Sequence, residues 1–144
     1  MIVTIASGVI EAMQRHARAE HPREACGLLL GMPRVIAAAE PSRNVASHPH
    51  RTFEIEPATL LRAYREARGA GREVLGWYHS HPNGVAQPSA TDAARAVEDG
   101  KLWLIVTADA LSAWVAASDG AAPRDGGVAA PLHDRFLPVA LRVA

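Results

Sequence analysis

A chain of 144 residues, 49% of them apolar, has the length for one domain and the material for a core of real size. Its 15 Lys and Arg balance 15 Asp and Glu, so the molecule as a whole has no pull toward nucleic acid or an anionic membrane. The single cysteine excludes an internal disulfide and fits a reducing compartment. The start, MIVTIASGVIEAMQRH, lacks the basic opening and long apolar run of a signal peptide. The longest apolar stretch, Leu102 to Ala117, is interrupted by Thr107, Asp109 and Ser112 and is too short for a membrane span, so the reading is a soluble, cytoplasmic protein.

Ser7 opens a helix running to about Glu20, with Ile10, Met13 and Ala17 on one face, and Pro22 ends it. Ala25 to Gly31 is a short, nearly all-apolar run that reads as a buried strand. Val35 to Ala39 reads as its hairpin partner across Gly31-Met32-Pro33-Arg34. Residues 41–52 carry Pro, Ser, Asn and His without periodicity and read as mostly loop, followed by a short strand at Phe53 to Ile55. Pro57 begins a second helix at the position where proline is tolerated. It runs to about Arg68, with Leu60, Leu61, Tyr64 and Ala67 inward, and Gly69 to Gly71 closes it. Glu73 to His81 reads as a central strand, and Pro82-Asn83-Gly84 turns the chain. Ser89 to Glu98 is a third helix, and Leu102 to Thr107 with Leu111 to Ala116 makes a hairpin. Residues 118–127 read as a surface loop, and Ala130 to Leu141 as an edge strand with Pro131 and Pro138 as breakers. Strands interleaved with three helices predict an α/β architecture, the helices packed on a mixed or mostly antiparallel sheet.

The segment most informative about chemistry is HSHPNGVAQPSATD, residues 79–92. Side chains at i and i+2 of a strand share a face, so His79 and His81 can aim at one cation, and Asp92 adds a hard oxygen. Three protein ligands leave a fourth tetrahedral position open for water, the ligand count of a catalytic zinc site. Zinc fits two imidazoles and a carboxylate best, although cobalt, manganese or iron accept the same donors. A bare His-x-His pair is weak, since a chain with 7 His produces roughly 0.3 by chance and this one holds a second pair at His48 and His50. Requiring Ser89 and Asp92 at their offsets brings chance to about one in a thousand such chains. Ser89-x-x-Asp92 also reads as a helix N-cap with Asp92 at the third position, and the two roles are compatible.

The pattern His79-Ser80-His81-Pro82 followed by Ser89-x-x-Asp92 resembles the JAMM motif of MPN-plus metallopeptidases. The upstream segment Pro22-Arg23-Glu24-Ala25-Cys26-Gly27-Leu28-Leu29-Leu30-Gly31 is similar to the glutamate-bearing strand of that family. The likeness extends along Asn44 to Pro57 and Trp103 to Ala117, which covers most of the chain as a single domain over 1–144. It implies the three-layered MPN (JAB) fold, with a mixed, mostly antiparallel sheet flanked by helices. It also implies a zinc-dependent peptidase acting after the C-terminal Gly-Gly of a small ubiquitin-like or sulfur-carrier protein. The compact form is similar to the bacterial type.

On that resemblance His79, His81 and Asp92 hold Zn2+, Glu24 is the general base, and Ser89 donates to the developing oxyanion. Read without it, Glu24 is equally a surface acid after a helix break, and Ser89 a plain cap. Ser80 points to the opposite strand face and is expected to be structural. One of Trp77 and Tyr78 belongs in the core by alternation, and the other is free to line a substrate groove. Cys26 raises a nucleophile reading, set against its apolar strand. His48 and His50 lack a carboxylate at useful spacing for a second metal, and a substrate-contact role stays open for them. Two other functions stay open: a non-catalytic MPN scaffold or interaction module, and a JAMM peptidase of phage tails or phage defence. Peptide or isopeptide bond, and monomer or homodimer, are not decided by the sequence.

Overall fold

The β-branched run Ile2-Val3-Thr4-Ile5 forms the first strand, β1 (Ile2–Ile5), which the sequence reading did not identify. The computed structural model describes residues 1–97, 99–117, 132–133 and 135–144. The expectations for Glu98, for the loop at 118–127 and for Ala130 and Pro131 lie outside them. After β1 come α1 (Ser7–Glu20), β2 (Cys26–Met32), β3 (Val35–Ser42), α2 (Pro57–Gly69) and β4 (Glu73–Ser80). Then follow α3 (Ala90–Arg95), β5 (Leu102–Val106), β6 (Leu111–Ala116) and β7 (Phe136–Val143).

The strands hydrogen-bond in the order β1-β3-β2-β4-β5-β6-β7, and β1 closes the sheet by pairing in parallel with both β3 and β7. The sheet is mixed: β4 runs parallel to β5, whereas β2 pairs antiparallel with β3 and β4, and β6 with β5 and β7. Alternation along β2 divides the core. Leu29 points to the α1 side with Val9, Met13, Tyr78 and Leu104, while Leu28 points to the α2 side with Ala63, Ala67 and Val74. One helix therefore covers each face, and the architecture is the α/β, helix–sheet–helix arrangement the sequence pointed to.

Five expectations need correction, the first being the third helix, expected from Ser89 to Glu98, which ends at Arg95 with Ala96 already extended. β7 lies between β6 and β1, so it is not an edge strand; Pro138 pairs with Trp114 of β6 but lies outside the β1 pairing, and its missing N–H falls on that unpaired side, since the Ala140 amide two residues on donates toward β1, to the Met1 carbonyl. β3 continues through Pro41 and Ser42, which had read as loop. Phe53 to Ile55 is not a strand; Ile55 makes a lone bridge to Asn44. On α2 the buried side chains are Thr59, Ala63 and Ala67, while Leu61 and Tyr64 are exposed. Small side chains at i and i+4 let α2 sit close to the sheet and rotate the larger ones out. No helix among the described residues is long and apolar enough to cross a membrane.

Candidate metal centre

β4 is the central strand, held on one side by β2 and on the other by β5, and it delivers His79 near its end. His81 lies just beyond, its amide still bonded to the Val106 carbonyl at 3.1 Å, which prolongs the strand direction. The two imidazoles share the β4 face that carries Trp77, and their Nε2 atoms stand 3.0 Å apart. Asp92 arrives on the first turn of α3. Its Oδ2 lies 3.2 Å from His79 Nε2 and 3.0 Å from His81 Nε2. The three side chains are buried and form the metal-competent cluster found among the described residues.

These separations test the fit to a cation. A tetrahedral zinc with bonds of about 2.0–2.1 Å places its ligand atoms about 3.3 Å apart, close to what is seen. The protonation logic agrees. His81 Nδ1 lies 2.8 Å from the Val85 carbonyl, which accepts its N–H and leaves the Nε2 lone pair facing inward. One carboxylate oxygen and two imidazole nitrogens converging at 3.0–3.2 Å form a donor set suited to sharing one positive charge, which a bound cation would supply. Burial alone lowers His79, and it would lower His81 too; hydrogen bonding to Asp92 and the Val85 carbonyl reverses this and raises His81. Burial would push Asp92 up, but its bonds to both histidines and the Ser89 amide hold it well below the usual carboxylate range. His79 Nδ1 has no hydrogen-bond partner. The ring is instead fixed by stacking on Phe53, with centroids 4.3 Å apart, and by the edge of Trp103 at 5.8 Å.

Ser89 is the N-cap that the sequence reading expected, and it also lines the cavity beside the candidate ligands. Its Oγ accepts from the Asp92 amide at 3.0 Å, and Asp92 Oδ2 accepts from the Ser89 amide at 2.9 Å, a complete capping box. The cap uses a lone pair of the hydroxyl, so its proton stays available to a ligand in the cavity that Ser89 lines with Glu24 and His81. This mouth, about 280 Å³, is completed by His50, Arg51, Pro82, Asn83 and Thr91.

Glu24 precedes β2 and is only 4% exposed. Its Oε1 has no hydrogen-bond partner, and burial pushes the carboxyl up to about 7, the range of a working base at neutral pH. The structure thus brings Glu24, 55 residues upstream of His79, to the same cavity as the candidate ligands. Ser80 points away from them and accepts from the Ala25 amide at 2.7 Å, consistent with a structural role. Tyr78 is in the core, its hydroxyl 2.8 Å from His16 Nδ1, while half-buried Trp77 lines an apolar groove with Phe53, Ile55, Leu60 and Trp103. Cys26 is fully buried and its thiol is pushed up to about 12, which removes the nucleophile reading. His48 and His50 belong to no metal-ligating cluster among the described residues, but His50 lines the mouth. Phe53 and Arg51 carried no sequence signal, because only the folded loop sets them beside the histidines.

Comparison with known proteins agrees with this geometry. A desampylase of Haloferax volcanii is 34% identical over 113 residues, covering 74% of this chain and 81% of that protein. A CysO-cysteine peptidase of Mycobacterium tuberculosis is 29% identical over 110 residues, covering 74% of this chain and 73% of that one. The solution structure of a protein from Desulfitobacterium hafniense superposes with a TM-score of 0.80 at 26% identity, covering 100% of this chain and 93% of the other. Residues 6–117, which include Glu24, both histidines, Ser89 and Asp92, match the family of prokaryotic homologs of the JAB domain, and the chain belongs to that family.

Proposed function

We propose that this chain is a zinc-dependent metallopeptidase, built as one domain, that hydrolyses the bond after the C-terminal Gly-Gly of a small ubiquitin-like or sulfur-carrier protein in the cytoplasm. The observation that carries the reading is the convergence of His79, His81 and Asp92 on one point beside a buried carboxyl with no partner. A scaffold has no use for Glu24 in that state, since burying an unpaired carboxyl costs stability. The names of two sequence relatives, a desampylase and a CysO-cysteine peptidase, support the same reading.

When bound, the zinc ion supplies a Lewis acid that acidifies water and polarises the scissile carbonyl. Glu24 takes the proton from the attacking water and returns it to the leaving amine, a task suited to a carboxyl near 7. Ser89 Oγ–H donates to the carbonyl oxygen as its charge grows. Phe53 and Trp103 pack around His79, fix its ring and keep water from that side. The groove of about 350 Å³ lined by Phe53, Ile55, Leu60, Trp77 and Trp103 suits apolar side chains upstream of a Gly-Gly tail. Glycine next to the bond lets the substrate backbone come close to the buried ligands.

The test is elemental analysis of the purified protein together with cleavage of a carrier-protein fusion whose tail ends in Gly-Gly before the scissile bond. About one zinc per chain and cleavage that stops on chelation and returns with zinc are expected. A metal-loaded protein that cleaves neither the fusion nor unfolded peptides would return the chain to the scaffold class.

A further inference from the structure

Glu24 is not held by the sheet ladder, because β2 begins at Cys26. Its main chain is held instead by the loop between β3 and α2. The Glu24 amide donates to the Pro49 carbonyl at 2.7 Å, and the Glu24 carbonyl accepts from Asn44 Nδ2 at 2.9 Å. Asn44 is 8% exposed and its amide is fully used. Nδ2 also donates to the Thr52 carbonyl at 3.0 Å and reaches the Pro49 carbonyl at 3.4 Å. Oδ1 accepts from the amides of Ala46 at 3.0 Å and Glu54 at 3.1 Å. Loop 46–54 is in turn locked to the metal centre. Arg95 of α3 donates to Thr52 Oγ1 at 2.6 Å and to the Phe53 carbonyl, and Phe53 stacks on His79.

We propose that Asn44 is a positioning residue for the reaction: its donor arm ties the main chain of Glu24 to the loop that packs on His79, and so sets where the carboxyl stands relative to the ligand cluster. The inference rests on the general-base reading of Glu24. The two arms of the amide divide the work. The acceptor arm holds the loop through Ala46 and Glu54, and the donor arm closes it at Thr52 and joins it to Glu24. Asn44→Asp keeps the acceptor arm and removes both N–H donors. A catalytic group displaced by about 1 Å loses on the order of 100-fold in rate.

The experiment compares wild type, Asn44→Asp, Glu24→Gln and a core control, Met13→Ala, at a temperature where all are folded. Asn44→Asp is expected to retain stoichiometric zinc and an unchanged KM while kcat falls about 100-fold. Met13→Ala lowers stability without changing kcat. Amide hydrogen exchange supplies a readout independent of turnover: the Glu24 amide loses protection in Asn44→Asp while that of Glu54 keeps it. Wild-type kcat in Asn44→Asp, with Glu24→Gln inactive, would overturn the positioning role alone. Near-normal turnover in Glu24→Gln would remove the base reading and the inference with it. Loss of zinc, or a parallel change in kcat and KM, would make Asn44 a structural residue only. Should Asn44→Asp not fold, exchange in the wild-type protein decides: Glu24 and Glu54 amides that open with unrelated free energies would overturn the tether.

Discussion

His81 is the residue on which the candidate centre turns, because it contacts Asp92 directly and its other nitrogen is fixed by Val85. His81→Ala leaves one imidazole and one carboxylate, and nearly all zinc should be lost at neutral pH. Elemental analysis reads this directly, and stoichiometric zinc in the variant would refute the ligand assignment. Glu24→Gln should behave in the opposite way, keeping fold and metal while peptidase activity drops by several orders of magnitude, since base and metal act as a unit. The same residue gives a pH prediction for the metal-free protein. Its carboxyl titrates near 7 when folded, against an ordinary value of 4.5. Between these values the unfolded chain binds fewer protons than the folded one, so this group makes stability fall as pH rises through that window. Glu24→Gln removes the effect. Metal-free Glu24→Gln should exceed wild type above pH 7 by up to about 3 kcal/mol, at about 1.4 kcal/mol per unit, and the two should converge near pH 4. Urea unfolding at both pH values measures it; equal stabilities at pH 8 would show that the buried carboxyl is not strained.

At the scale of elements, the centre depends on β4 being clamped between β2 and β5 without slippage. A side chain added at Gly76 shows how close the clamp is, since its Cβ would stand 2.0 Å from the Leu102 carbonyl oxygen on β5. Backbone cannot yield as a flexible side chain does. Gly76→Ala should therefore cost about 1–3 kcal/mol or more, seen as a lower urea midpoint, and should weaken zinc retention by shifting His79. An unchanged midpoint would mean that β4 and β5 separate cheaply. The helices show why periodicity alone was a partial guide. On α1, Ile10, Met13 and Ala17 pack as their spacing predicts. On α2 the apolar pattern Leu60, Leu61, Tyr64, Ala67 is broad enough for several rotations, and the sheet selects the one that buries Ala63 and Ala67.

For the molecule as a whole, the closed sheet leaves the metal mouth at the end of β4, and Phe53, stacked on His79, also lines the groove containing Trp77 and Trp103. The family membership and this layout together predict selection for a thin tail. A matched pair of carrier-protein fusions, ending in Gly-Gly or Ala-Ala before the scissile bond, tests it. Cleavage of Gly-Gly should be strongly preferred. Similar cleavage of both would count against a glycine-selective approach, and efficient cleavage of unrelated unfolded peptides would indicate a general peptidase.

The sequence by itself determined what is local. His79, His81, Ser89 and Asp92 lie within 14 residues, so strand alternation and a helix cap were enough to foresee that they meet, and α1 announced its own face. What joins distant segments was decided by tertiary structure. The strand β1 is four residues long, too short for a clear pattern, yet its pairing with β3 and β7 closes the sheet and turns an expected edge into an interior strand. Glu24 was a candidate on its resemblance, but its burial and its unpartnered oxygen follow from the 44–54 loop folding over it. That loop has no periodicity to read. Asn44 and Phe53 acquire their places through a hydrogen bond to Glu24 and stacking on His79, 20 or more positions away, interactions that exist only once the sheet has brought those positions together.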